Sequence, residues 1–227
     1  MANGQRLARI RRSQSRQKSD RECGARPGKK DLPGMVTADD TKEDGMNGRV
    51  YLIGGSSHVG KTLVAQKIME DTMIPYVSID HIKMGLIRAG ITDITAEEDD
   101  AMREYIWPML AEMAKTVIEN DQSLIMEGCY IPPDWRKCLD ETYLEHIREV
   151  FIVMSEDYVR THIDDIKSYG SVIEHRLYDE VDCERLVRCS AWFKSDAQKF
   201  GNSYVEIDKE YNTEKLVREV EEKLGVI

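Results

Sequence analysis

Val50-Tyr51-Leu52-Ile53-Gly54-Gly55-Ser56-Ser57-His58-Val59-Gly60-Lys61-Thr62 is the stretch whose reading decides the fold. Four apolar residues make a short buried strand. From Gly55 to Thr62 the chain then satisfies G-x-x-x-x-G-K-[ST] at every fixed position. An amphipathic helix is expected from Lys61 to about residue 71. Strand, glycine loop and helix in that order form an anion cradle. The glycines let the backbone wrap a phosphate without a Cβ in the way, and they turn successive N–H groups inward. The helix adds the positive end of its dipole. Lys61 is placed to reach phosphates as a point charge, and the Thr62 hydroxyl to ligate a divalent cation. Gly55, Ser56, Ser57, His58, Val59 and Gly60 contribute backbone; the His58 side chain is not assigned a role.

Working outward, apolar runs and helical patterns alternate. Strands are expected at Tyr76–Ile79, Ser123–Met126, Glu149–Met154 and Ser203–Ile207. A helix follows Asp80 to Ala89, and a long one runs from Ala96 to about Glu119, opened by a Thr95/Glu98 capping box. The last helix spans Thr213 to Leu224. Such alternation predicts an α/β fold with a parallel sheet covered on both faces. On the long helix Met102, Ile106, Met109, Met113 and Val117 recur at helical spacing and read as core, with Pro108 as a kink.

In an open parallel sheet, ligands bind beyond the carboxyl ends of the strands. Asp80 ends the second strand and Glu127 the third, so both are candidates for activating a hydroxyl or holding a metal ion. Asp80 also suits a helix N-cap, and the residues leave open which acid is the base. Transfer of a charged group needs cations as well. Lys83, Arg88 and Arg136 are candidates for holding the acceptor. Arg160, just beyond Met154-Ser155 where a covering segment would hinge, is the preferred lid arginine, with Arg176, Arg185 and Arg188 further along.

The net charge of −10 is unevenly spread: residues 1–30 hold ten Lys/Arg against two acids, leaving −18 on the remainder. An acidic body repels polyanions, which argues against nucleic acid as its partner. Residues 1–47 are polar and basic without apolar periodicity, and are expected to be a disordered tail. Met46 offers an alternative start, making that tail a start-site extension; a transit peptide and a basic arm are the other readings. The domain proper is expected over 48–227. No apolar run approaches the roughly 18 residues of a membrane span. Cys23, Cys129, Cys138, Cys183 and Cys189, with no C-x-x-C pair, read as reduced thiols of a cytoplasmic protein.

Gly54 to Thr62, Ile74-Pro75-Tyr76-Val77-Ser78-Ile79-Asp80 and Glu127-Gly128 together resemble the small P-loop kinases over about residues 48–210. The nearest look is to 2-phosphoglycerate kinase-like proteins; adenylate kinase-like and zeta-toxin-like proteins are more distant. The resemblance implies a three-layer fold with a five-stranded parallel sheet of order 2-3-1-4-5 and a helical lid over about 156–190. It implies ATP and Mg²⁺ as nucleotide and metal. Lys61 would bind phosphate, Thr62 and Glu127 would serve the metal, and Asp80 would face the acceptor. Glu stands where Asp is commoner after the third strand, and the loop lacks the extra glycine of adenylate kinases. The Gly-Asp acceptor signature of nucleoside monophosphate kinases is missing too, and the last two departures point away from AMP.

The expected activity is therefore transfer of the γ-phosphoryl of ATP to a small metabolite, with a 2-phosphoglycerate-like acceptor preferred. A nucleoside-monophosphate kinase and a zeta-toxin-like nucleotide-sugar kinase are alternatives. A nucleotide-binding regulatory module is the alternative of another class.

Overall fold

A computed structural model of the chain describes residues 46–169 and 181–226. The expected basic tail lies outside them except for Met46 and Asn47, and so do Arg176 and the middle of the expected lid. Met46 packs against the core, and the Asn47 amide donates to Asp121 Oδ1 at 2.9 Å.

Five strands form one sheet: β1 (Arg49–Gly55), β2 (Tyr76–Ser78), β3 (Ser123–Glu127), β4 (Ile147–Met154) and β5 (Tyr204–Ile207). Their order is β2-β3-β1-β4-β5 and every pairing is parallel. This is the expected α/β arrangement. The helices are α1 (Lys61–Thr72), α2 (Ile79–Arg88), α3 (Asp99–Glu119), α4 (Glu141–Leu144), α5 (Glu156–Thr161), α6 (Ile163–Tyr169), α7 (Cys183–Lys199) and α8 (Thr213–Leu224).

A strand's side chains alternate between faces, and both faces of this sheet are buried, so β1 is apolar and buried from Val50 onward, with only Arg49 exposed. Val50 and Leu52 join Met126, Phe151 and Val153 under α3 and α7. Tyr51 and Ile53 join Ile125, Val150 and Ile152 under α1 and α8. These two cores hold the carboxyl ends of β1 and β3 side by side, with Ile53 opposite Glu127 in register.

Element ends differ from the sequence expectation at Ile79, which opens α2, and at Ile147, where β4 begins, and α3 differs in two further details. Helix α3 starts at Asp99, and Glu98 Oε2 accepts from both the amide and the hydroxyl of Thr95 at 2.9 and 3.0 Å. Thr95 is thus a donor to Glu98 and caps no helical amide. On α3, Met102 and Ile106 are fully buried together with Leu110, Ala114 and Ile118, whereas Met109 is exposed. The buried stripe follows a spacing of four from Met102, which carries it past Met109.

Candidate active site

The loop between β1 and α1 is built by backbone geometry. Gly55 has φ 121°, and a Cβ there would collide with the Ile152 carbonyl of the neighbouring strand. Gly60 has φ 85°, and a Cβ there would strike the Tyr211 hydroxyl. These are left-handed conformations that cost glycine little. Gly60 is also the N-cap of α1: no side chain caps the helix and no acid sits in its first turn. The positive end of a 12-residue helix is therefore left to a ligand.

Lys61 is the first residue of α1 and only 8% exposed; its Nζ donates to the Ser56 carbonyl at 2.7 Å, across the mouth of the loop. The Thr62 hydroxyl donates to Glu127 Oε1 at 3.1 Å. Glu127 is the last residue of β3 and 1% exposed. Burial pushes its carboxyl above the usual carboxylate range, and Asp80 nearby pushes the same way; Lys61 and the hydrogen bonds from Ser78 and Thr62 oppose the shift. Thr62 and Glu127 thus put one hydroxyl and one carboxylate together at the root of the cradle. That is a donor set suited to Mg²⁺, which takes few protein oxygens and completes its shell from phosphate and water.

Asp80 lies in the first turn of α2, beginning one residue beyond β2, and is half-buried; Ser78 is the N-cap of that helix. Lys83, one turn on, is 7% exposed. Its Nζ donates to the Ala96 carbonyl at 3.1 Å and, in a shorter contact, to the Tyr130 hydroxyl. Tyr130 in turn donates to Asp99 Oδ1 at 2.8 Å, and Arg185 of α7 reaches Asp99 Oδ2 at 2.5 Å. Arg103 is buried beside this group, donating to the Cys129 carbonyl at 3.1 Å and to Asp100 at 2.7 Å, its guanidinium over the Trp192 ring. Burial pushes the Cys129 thiol up to about 11, with Asp80 and Asp99 adding to the effect.

The structure thus brings together the loop, Lys61, Thr62, Glu127, Asp80 and Lys83. It places other expected residues elsewhere. Arg136 bonds Asn202 and Glu149 Oε1, the latter at 3.0 Å in the first half of β4, away from the carboxyl ends of the strands. Arg88 is exposed in the last turn of α2. Arg160 is held on the surface by Glu156 at 2.8 Å and by Glu184 at 2.6 Å, tying α5 to α7.

Asp99, Arg103, Tyr130, Ser190 and Tyr211 stand around this candidate site and were not among the residues expected from the sequence. Ser190 of α7 meets the Ser56 hydroxyl at 2.7 Å, and its neighbour Cys189 accepts from the Ser57 amide. Leu186, Ser190, Phe193 and Ala197 bury one face of α7, so the part of the expected lid at 183–190 is anchored to the sheet. The spacing of Asp99 and Arg103 on one helical face was the available signal; Tyr130 had none beyond its place after Glu127-Gly128.

No protein-family model matches this sequence, and no curated protein matches it significantly. Solved structures do align with it. A gluconokinase from Sinorhizobium meliloti is 18% identical, covering 79% of this chain and 93% of its own, with a TM-score of 0.49. An APS kinase from Mycobacterium tuberculosis, solved with AMPPNP and APS, is 14% identical over 79% of this chain and 98% of its own, at 0.47. A shikimate kinase from Aquifex aeolicus is 16% identical over 78% and 96%, at 0.41. The likeness is one of chain path. Among the described residues, no helix is long and apolar enough to cross a membrane.

Proposed function

We propose that this chain is a P-loop phosphotransferase that uses ATP and Mg²⁺ to phosphorylate a small, anionic, hydroxyl-bearing metabolite, with a 2-phosphoglycerate-like acid as the preferred acceptor. The observation that carries the reading is the uncapped N-terminus of α1 with Lys61, Thr62 and Glu127 converging on it. The loop amides and Lys61 hold the donor phosphates. Thr62 and Glu127 hold the metal, which when bound draws charge from the phosphoryl being transferred.

Division of labour between the two acids follows from their surroundings. Glu127 is sealed and tethered by Thr62 and Ser78, which suits a fixed metal-side role. Asp80 is partly open and one turn from the buried cation Lys83, which suits orienting the acceptor hydroxyl and taking its proton. Lys83 places a buried cation on the Asp80 side of the loop, which suits an acidic acceptor. Arg185 is the better lid arginine than Arg160, whose guanidinium is already claimed by two glutamates. ATP consumption tested over phosphorylated three-carbon acids, sugars, nucleosides and nucleotides, with mass detection of product, tests the reading. A phosphorylated small acid supports it. An AMP-only response replaces the acceptor, and ATP binding without transfer to any compound favours a regulatory module.

A further inference from the structure

Asp99 sits in a setting built for a ligand anion. Three donors surround its carboxylate: the Tyr130 hydroxyl at 2.8 Å, the Lys83 ammonium at 3.7 Å and the Arg185 guanidinium at 2.5 Å. Lys83 and Tyr130 are buried, whereas the Asp99 side chain is 30% exposed. Lys83 and Tyr130 are thus fixed in the fold, while Asp99 and the exposed Arg185 guanidinium stand at the edge. Asp99 is also the first residue of α3, where a carboxylate is favoured by the helix end whichever way it turns.

The donors lie on the Asp80 side of the loop. Lys83 is one turn from Asp80 on α2, and the Asp80 charge acts on both Glu127 and Tyr130. Calling this the acceptor side rests on the phosphotransferase reading. The three donors come from three elements, α2, the segment after β3, and α7. Arg185 alone comes from the helix that also carries Ser190 against the loop. An anion received here would therefore contact both the acceptor pocket and the covering helix.

We propose that Asp99 is a built-in stand-in for the acceptor's anionic group: it occupies the Lys83–Tyr130–Arg185 donors and is displaced by a phosphate-bearing acceptor. The exchange keeps the buried Lys83 paired throughout, so it avoids the penalty of an isolated buried charge. It also sets a threshold. A dianionic phosphate outcompetes a tethered monoanion for three donors, whereas a neutral polyol offers no charge to replace it. Asp99 thus acts as a specificity determinant, favouring phosphorylated acceptors over their unphosphorylated counterparts.

The test is a calorimetric titration of the full chain with inorganic phosphate, and with 2-phosphoglycerate, with the cradle already filled by a saturating non-hydrolysable ATP analogue and Mg²⁺. Removing the tethered charge in Asp99→Asn is expected to tighten binding of both by about tenfold or more, the scale set by one unit charge removed at close range. Lys83→Met is expected to abolish it. Asp99→Ser gives the same sign as Asp99→Asn and guards against an effect peculiar to the amide. Weaker, unchanged or undetectable binding in the Asp99 variants overturns the proposal and leaves Asp99 a structural tie between α3 and α7. In the unmutated chain the Asp99 carboxylate carbon signal should shift as 2-phosphoglycerate is added, and a signal unmoved at saturation also overturns it. ATP affinity, measured separately, is untouched by either outcome, so failure here and failure of the kinase reading are told apart.

Discussion

The Thr62 hydroxyl donates to Glu127 Oε1 across 3.1 Å, joining the first turn of α1 to the last residue of β3. This bond links the phosphate cradle to the acid that follows it through the sheet. Glu127 has almost no access to solvent, and burial raises its affinity for a proton.

A pH dependence follows from that burial. Because its pKa is raised on folding, Glu127 binds its proton more tightly in the folded chain than in the unfolded one. Its destabilising contribution therefore grows as pH rises from the ordinary carboxylate range through the raised value. Glu127→Gln removes the contribution. The melting temperature of the variant should exceed that of the parent increasingly as pH is raised, while its Mg²⁺-dependent turnover is lost. Parallel melting curves against pH for the two proteins would refute the buried-carboxylate account.

Lys61 closes on the Ser56 carbonyl and supplies the cation of the cradle. Lys61→Ala should lower turnover at least about a hundredfold, the scale for losing one preorganised electrostatic donor. Steady-state kinetics, with circular dichroism confirming the fold, check this; near-normal turnover would take Lys61 out of the mechanism.

At Gly55 both φ and space exclude a side chain. Gly55→Ala should destabilise the chain by about 2 kcal/mol or more, since left-handed strain alone costs ~1–3 kcal/mol and the Ile152 carbonyl must also move. Urea unfolding measures it. A midpoint equal to that of the parent would mean the loop relaxes freely.

Arg136 and Asn202 belong to the framework. Asn202 accepts from Trp135 Nε1 at 3.1 Å and from Arg136, and donates to the Pro133 carbonyl at 2.7 Å. Asn202→Ala strands the buried Trp135 indole N–H and the Pro133 carbonyl and should cost about 2–4 kcal/mol of stability. The folded fraction of the variant should turn over normally. A loss of acceptor affinity without loss of stability would restore Arg136 to the substrate site.

Arg185 and Arg160 separate two readings of the covering helices. Arg185→Ala should raise the acceptor KM, because that guanidinium reaches Asp99 beside Lys83. Arg160→Ala should leave turnover unchanged, since its partners are exposed glutamates and such pairs contribute little. The reverse outcome would reinstate Arg160.

Local pattern carried much of this protein. The apolar run at 50–53, the glycines at 55 and 60 and the Lys-Thr pair specify strand, turn and helix through backbone sterics within thirteen residues, so the cradle is legible in the sequence alone. Alternation of apolar strands with amphipathic helices gave the parallel sheet for the same reason, because period and length are local properties. Partnership is not local. Arg136, Arg160 and Arg185 look alike in one dimension, and only packing decided that the first meets Asn202, the second two glutamates, and the third Asp99 from 86 residues away. The buried Lys83–Tyr130–Asp99 group likewise exists because α2, α3 and the chain after β3 are folded against one sheet. A charge finds its partner through desolvation and distance, and both are properties of the tertiary structure.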